Sequence, residues 1–150
     1  MKKTTSIQRS ALVLHSAQAM FNLVNDIEAY PQYMDGCIGA EVISRNEKEI
    51  IARLDLRKAG ISHSFTTRNH LSAPQLVEMT LLDGPFSYFQ GVWQFKMLQE
   101  NASKVSLDLE FAFKSGVLNK AAGKLFTRVA DNLVAALVQR ADAILPSANR

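Results

Sequence analysis

Residues 116–145 read GVLNKAAGKLFTRVADNLVAALVQRADAIL, a stretch that predicts one long amphipathic helix. Its apolar residues recur at steps of three and four, which puts them on one side of a helix. The members of this stripe are Leu118, Ala122, Leu125, Val129, Leu133 and Leu137. Ser115 is suited to cap the helix, and Pro146 ends it. Such a helix spans about 45 Å, so its apolar side needs an extended partner surface.

The preceding chain supplies strands for that surface. We expect a first strand over 6–14, a helix over 17–27, and a break at Pro31 with a short second helix or turn. From Ile38 onward the pattern is that of strands throughout. These strands are predicted at 38–46, 49–58, 61–72, 75–82, 86–98 and 103–114. Their connections are short, so neighbouring strands are expected to pair antiparallel.

The alternation along these strands gives the sheet one apolar face. It is clearest in 103–114, where Val105, Leu107 and Leu109 alternate with polar residues. The fold class is therefore α+β, with a strongly curved antiparallel sheet of about seven strands around the long C-terminal helix, in one domain spanning 1–150. Large side chains at inward positions indicate space between sheet and helix. These are Phe65, Met79, Phe89, Trp93, Phe95 and Met97.

Composition limits the class of protein. The chain has 47% hydrophobic and 21% charged residues, as globular domains do. It has one cysteine, Cys37, which excludes an internal disulfide and fits a reducing cytoplasm. No signal peptide and no apolar run of about 18 residues is present, so we expect neither secretion nor an integral membrane segment. The net charge of +3 permits an anionic partner without requiring one.

Four short motifs add a resemblance to a known family. They are Asn25-Asp26-Ile27-Glu28-Ala29-Tyr30-Pro31-Gln32-Tyr33 with Gly36-Cys37, then Lys58-Ala59-Gly60-Ile61 with Phe65-Thr66-Thr67-Arg68-Asn69, then Asp83-Gly84-Pro85-Phe86, then Gly91-Val92-Trp93-Gln94-Phe95. In this order they resemble the START-like, helix-grip superfamily of polyketide cyclase/dehydrase-like proteins. Within it the chain looks like RatA-type ribosome-association toxins and coenzyme Q-binding proteins, over about Ile7 to Leu145.

The resemblance implies a non-enzymatic cytoplasmic protein. It implies binding to the large ribosomal subunit through rRNA, and a small antitoxin protein as a second partner. It implies no binding to DNA. It further implies an apolar cavity for ubiquinone, another isoprenoid quinone or a lipid, with no required cofactor. A ubiquinone-binding carrier that supports respiratory electron transport is the alternative, and a cyclase- or dehydratase-type enzyme ranks last. The expected cavity residues are Tyr30, Tyr33, Met34, Phe65, Met79, Phe89, Trp93, Phe95, Leu125, Val129 and Leu133.

Candidates for catalysis are few. His63 shares a strand face with Phe65 and can point inward as an acid or base, although a polar side chain at the cavity mouth is the simpler interpretation. Glu78 is the second candidate, and His15 is expected to be solvated. The sequence contains no catalytic triad order, no phosphate-binding glycine loop and no metal-ligand spacing. We therefore expect no catalytic residue and no metal site.

A basic stripe is predicted on the long helix. Lys120, Lys124 and Arg128 follow one another at four-residue steps, and no acid occurs between Ser115 and Asp131. These cations lie in the half of the helix where the dipole favours acids, so an external anion such as rRNA phosphate or anionic lipid would stabilise them. A solvated surface remains the alternative for this stripe. Arg68 is a second candidate contact, which could instead pair with a surface acid.

Overall fold

A computed structural model of the protein describes residues 4–58, 60–114 and 120–145. In these ranges the order of elements is strand, helix, 3-10 helix, six strands and two helices. The strands are β1 Thr5–Val13, β2 Cys37–Arg45, β3 Glu49–Lys58, β4 Ile61–Ser72, β5 Leu76–Asp83, β6 Phe86–Gln99 and β7 Ala102–Phe113. The helices are α1 Ala17–Val24, a 3-10 helix Ile27–Gln32, α2 Lys120–Asp131 and α3 Leu133–Ile144.

The seven described strands form one antiparallel sheet in the order β1-β7-β6-β5-β4-β3-β2. Strands β2 to β7 are a meander in which each strand pairs with the next, because each connection is a short turn. β1 forms the edge of the sheet next to β7, with which it pairs so that Ala11 lies opposite Val105. The predicted fold class and strand pattern are confirmed, and the predicted strand limits hold to within one residue at each end.

The first helix is shorter than expected. α1 ends at Val24, where Asn25 closes the last turn, and residues 27–32 form a separate 3-10 helix. Pro31 lies inside that 3-10 helix. Ser16 caps α1 as predicted, because its side chain accepts a hydrogen bond from the backbone N–H of Ala19 over 3.1 Å.

The C-terminal helix is interrupted rather than continuous, which corrects the prediction of one helix over 116–145. α2 ends at Asp131, Asn132 forms a turn, and α3 begins at Leu133. The backbone bonds of Asn132 N–H to Arg128 C=O and of Ala136 N–H to Asn132 C=O span the interruption. The proposed caps Ser115 and Pro146, and the stripe residue Leu118, lie outside the described residues.

The helices α1 and α2 cover opposite ends of the apolar face of the sheet. α1 covers one end, where the rings of Phe21 and Phe95 meet edge to face at 5.8 Å. α2 covers the other end by inserting Phe126 among phenylalanines of the sheet, with ring centroids 4.9 Å from Phe86 and 4.7 Å from Phe111. Met97 was expected to point inward and does not lie in this core. It is 70% exposed because it lies beyond the part of β6 that α1 covers.

Candidate functional site

An internal cavity of about 70 Å³ lies between the concave face of the sheet and α2. Its floor comes from inward residues of β2 to β7, its roof from α2 and the first residue of α3, and one end from the 3-10 helix and the loop after it. Eight of the residues expected at a ligand cavity line it: Tyr30, Met34, Phe65, Met79, Phe89, Trp93, Val129 and Leu133. Their role in binding a ligand remains a prediction.

The other three expected residues pack elsewhere. Phe95 stacks on Trp93 and meets Phe21 of α1, beyond the end of the cavity. Leu125 turns toward the backbone of Gly36, where its Cδ1 lies 3.6 Å from the position that a Cβ would occupy. The ring of Tyr33 lies under the guanidinium of Arg140, at 5.2 Å, and faces a groove on the outside.

Sequence reasoning missed several wall residues. They are Ile27, Cys37, Ala52, Leu54, Leu56, Thr67, Asn69, Leu109, Phe126 and Ala130. Strand alternation carried a signal for Thr67 and Asn69, because both share the inward face of β4 with Phe65. The helical stripe carried a signal for Phe126 and Ala130 in the same way.

Three side chains separate the cavity from a neighbouring surface groove. Met34, Val129 and Leu133 belong both to the cavity wall and to that groove. Asn132, where the C-terminal helix is interrupted, also lines the groove. Arg140 links α3 to the 3-10 helix, since its Nη2 donates a hydrogen bond to Oε1 of Gln32 over 2.9 Å. The loop at Met34 and the junction of α2 and α3 therefore lie between the cavity and the groove.

The wall is apolar except for a few neutral groups. The hydroxyl of Tyr30 donates to the backbone carbonyl of Val24, and burial raises its pKa well above the usual value. Burial also raises the pKa of the Cys37 thiol to about 11. Both groups are therefore protonated at neutral pH. On β4, Oγ1 of Thr67 donates to Oδ1 of Asn69 over 2.8 Å, and both side chains are only 6% exposed.

The candidate catalytic residues do not come together at this cavity. Glu78 is exposed on the outer face of β5. His63 faces inward, with its ring 6.2 Å from that of Phe126, but it is not part of the cavity wall. His15 was expected to be solvated and is instead 7% exposed, with its Nε2 2.8 Å from Oδ1 of Asp142 in α3. Within the described ranges, no group of His, Cys, Asp and Glu is arranged to hold a metal ion.

Two of the expected cationic contact residues on α2 are exposed. Lys124 and Arg128 are one turn apart and line a shallow open groove with Thr127. The side chain of Lys120 lies outside the described residues. Arg68 is half exposed on the outer face of the sheet, where its Nε lies 3.4 Å from Oε1 of Glu49. Arg68 is therefore paired with a surface acid on the face opposite α2. No helix among the described residues is both long and apolar enough to cross a membrane.

Comparison with known proteins gives a consistent picture. A family described as polyketide cyclase / dehydrase and lipid transport matches residues 13–138. The ribosome association toxin RatA of Vibrio cholerae is 45% identical over 135 residues, which cover 90% of this chain and 94% of that protein. The persistence and stress-resistance toxin PasT of Escherichia coli is 41% identical, over 90% of this chain and 85% of that protein.

More distant similarities extend the comparison. The mitochondrial coenzyme Q-binding protein COQ10 of Drosophila melanogaster is 28% identical over 92% of this chain and 59% of that protein. Among solved structures, the Zhui aromatase/cyclase of Streptomyces has a TM-score of 0.81 at 16% identity, covering 97% of this chain and 98% of that one. A START superfamily protein of Mycobacterium smegmatis has a TM-score of 0.75 at 23% identity, covering 93% and 98%. These two structures share the fold. The chain belongs to the polyketide cyclase/dehydrase and lipid transport family and, within it, to the group of the ribosome association toxin RatA.

Proposed function

We propose that this chain associates with the ribosome by binding the large subunit and blocking subunit association, as the toxin of a toxin–antitoxin pair. The observation that carries this proposal is the 45% identity to a ribosome association toxin over 90% of the chain. The proposal includes a small antitoxin protein as cognate partner and a cytoplasmic location, where ribosomes are found.

The charge on the exposed side of α2 supports a contact with rRNA. Lys124 and Arg128 are exposed there, and Lys58 at the end of β3 is a third exposed cation. Asp35 links the two elements: Lys58 donates a hydrogen bond to its carboxylate, and both Lys58 and Arg128 lower its pKa. We call Lys58, Lys124 and Arg128 the basic surface. Lys58 and Arg128 share this one acid, and Lys124 lies one turn from Arg128, so the three cations leave excess positive charge, which suits phosphate.

Charge reversal on α2 tests this contact. We expect the double variant Lys124→Glu/Arg128→Glu to lose at least about tenfold in affinity for purified large subunits, with a salt dependence reduced by about one to two in slope. The matched control is Lys96→Glu/Lys104→Glu, since these exposed lysines pair across β6 and β7 on the outer face of the sheet. Sedimentation of each variant with the subunit measures binding. Unchanged binding of the α2 variant would exclude the basic surface, and no binding by the unmodified protein would exclude the function.

We further propose that the cavity binds an apolar ring ligand such as a quinone. Two observations support this second function: the apolar wall under α2 and the similarity to a coenzyme Q-binding protein. The cavity of about 70 Å³ is smaller than ligand pockets, which measure about 300–1,000 Å³. A ligand must therefore enlarge it, and Met34 and Met79 are suited to this because methionine side chains repack readily.

Extraction of the purified protein measures this second function directly. Mass spectrometry of the extract is expected to show an isoprenoid quinone, and the cavity-filling variant Ala130→Leu should carry less of it. Ala143→Leu is the control, since Ala143 is an exposed residue of α3 that lines neither the cavity nor the groove beside it. A protein that is empty on purification and takes up no added quinone would contradict the proposal.

The same cavity supports a binding function rather than an enzymatic one. General acid–base catalysis works best with groups whose pKa lies near the working pH. The ionisable groups of the wall are Tyr30 and Cys37, whose pKa values are both raised away from neutrality by burial. We therefore propose that the protein binds its ligand without transforming it.

A further inference from the structure

Two polar side chains interrupt the otherwise apolar wall of the cavity. Thr67 and Asn69 lie two residues apart on the inward face of β4, and each is 94% removed from solvent. The neighbouring wall is formed by carbon-rich side chains such as Phe65, Met79 and Phe89. Burying an amide in such surroundings is costly unless its hydrogen bonds are made.

Only part of the hydrogen-bonding capacity of this pair is used within the protein. The hydroxyl of Thr67 donates to Oδ1 of Asn69 over 2.8 Å, which fixes the orientation of the amide. The other end of the amide, Nδ2, carries two N–H donors. Among the described residues it makes no hydrogen bond, and the side chain lines the cavity. The pair therefore presents an oriented donor to whatever occupies the cavity.

The tyrosines do not supply this donor. The hydroxyl of Tyr30 is used by the carbonyl of Val24, and the ring of Tyr33 faces the outer groove. We propose that Asn69, oriented by Thr67, is the polar recognition element of the cavity and donates a hydrogen bond to a carbonyl oxygen of an otherwise apolar ring ligand. This inference rests on the proposed binding function of the cavity and names the ligand chemistry: an acceptor oxygen on an apolar ring.

A ring beside this donor needs more room than the cavity of about 70 Å³ provides, and Met79 is a floor residue that can supply it. Met79 lies over Gly91, where its Cε is 2.5 Å from the position that a Cβ would occupy. A larger residue at Gly91 would push this side chain up into the cavity. Because the thioether chain is flexible, its displacement is the simplest way to admit a flat ring next to Asn69.

The test compares two ring ligands of nearly the same outline. Duroquinone (tetramethyl-para-benzoquinone) has two carbonyl acceptors, and durene (tetramethylbenzene) has none. The quinone ring is fully substituted, so the thiol of Cys37 in the wall cannot add to an open ring carbon. Binding is measured by calorimetry, and the side-chain amide signals of Asn69 are followed by NMR.

We expect the unmodified protein to bind duroquinone about 3- to 10-fold more tightly than durene, the usual effect of one hydrogen bond. The Asn69 amide signals should move with duroquinone and remain unchanged with durene. Asn69→Leu, which keeps the shape, should remove the preference, and Thr67→Val should reduce it because the amide loses its fixed orientation.

The outcomes separate the two levels of the proposal. If both ligands bind but the preference for duroquinone is absent, or persists in Asn69→Leu, Asn69 is not the recognition element and the binding function stands. If neither ligand binds the unmodified protein, the binding function itself is wrong, and the role of Asn69 is wrong with it. The NMR signals of the unmodified protein decide the matter even if a variant fails to fold.

Discussion

Nε2 of His15 lies 2.8 Å from Oδ1 of Asp142, which joins the turn after β1 to the last turns of α3. The histidine is buried, whereas the carboxylate side chain is 67% exposed. The backbone carbonyl of His15 also accepts a hydrogen bond from Oγ of Ser103 over 2.9 Å. One residue thus connects the turn after β1, β7 and α3, and holds the end of α3 against the sheet.

Loss of this contact should loosen α3. We expect Asp142→Ala to lower the free energy of unfolding by about 1–2 kcal/mol, the effect of one partly exposed hydrogen bond to a charged group. Asp142→Asn should cost less, because its amide can still bond to the ring. Urea unfolding measures both variants, and an unchanged free energy of unfolding in Asp142→Ala would show that this contact contributes nothing.

Phe126 should be the main anchor of α2. Its ring lies within 5.0 Å of both Phe86 and Phe111, and the side chain is 4% exposed. We expect Phe126→Ala to destabilise the protein by about 3–5 kcal/mol, with faster amide hydrogen exchange in α2 than in α3. Phe21→Ala is the control, because Phe21 is similarly buried but packs on Phe95 from α1. An equal acceleration of exchange in α2 in both variants would contradict the special role of Phe126.

The stability of variants at Gly36 should report how closely α2 packs against the loop before β2. A Cβ there would lie 2.8 Å from Cγ2 of Val129, and the backbone φ is +89°. Gly60 has a similar φ of +83° but no atom within 4 Å of such a Cβ. We expect Gly60→Ala to cost about 1–2 kcal/mol from backbone strain alone, and Gly36→Ala to cost about 1–3 kcal/mol more from the clash.

The comparison of these two glycine variants is made by thermal and urea unfolding. It isolates the steric effect, because the backbone strain is nearly the same at both positions. If the two variants are equally stable, α2 must already stand far enough from Gly36 to accept a methyl group.

Alkaline pH should weaken the fold through Cys37. Its pKa rises from the ordinary 9.0 to about 11 on burial, so between these values the folded protein keeps a proton that the unfolded chain releases. The free energy of unfolding therefore falls as the pH rises through this range, by up to about 1.4 kcal/mol per pH unit from this group. The variant Cys37→Ala should show a shallower decline in urea unfolding at pH 9 to 11, and an identical decline would be evidence against the raised pKa.

Asp35 should weaken contact with rRNA by neutralising part of the basic surface. Lys58 is hydrogen bonded to it, and Arg128 is close enough to lower its pKa. We expect Asp35→Asn to raise the affinity for large subunits about 3- to 10-fold at low salt, with the gain shrinking as salt is added. Asp108→Asn, an exposed acid on the outer face of β7, should leave binding unchanged. A loss of affinity in Asp35→Asn would show that the carboxylate itself takes part in binding.

Local periodicity was sufficient for much of the fold. A period of two fixes which face of a strand is apolar, so Phe65, Phe89 and Trp93 were correctly assigned to the inside. Periodicity does not show how far along each strand the helices cover the apolar face. Met97 follows the same alternation and is exposed, because the helices do not reach it.

Long-range contacts and breaks were not visible in the sequence pattern. His15 is buried and paired with Asp142, 127 residues later, and nothing near His15 in the sequence indicates this partner. The apolar stripe runs through Val129, Leu133 and Leu137 without a change of period, so it does not reveal the turn at Asn132. The polar residues of the cavity could have been predicted, because Asn69 lies four residues after Phe65 and so faces the same side of β4. They were left out because only apolar residues were expected in the wall.

Arg128 and Val129 are successive residues of α2, and they face the outside groove and the cavity respectively. A ligand that enlarges the cavity by displacing α2 would also displace Lys124 and Arg128. The two binding events would then be thermodynamically linked: the factor by which the ligand changes affinity for the ribosome is the factor by which the ribosome changes affinity for the ligand. A single helix would thereby let the supply of a hydrophobic metabolite set the activity of a translation inhibitor.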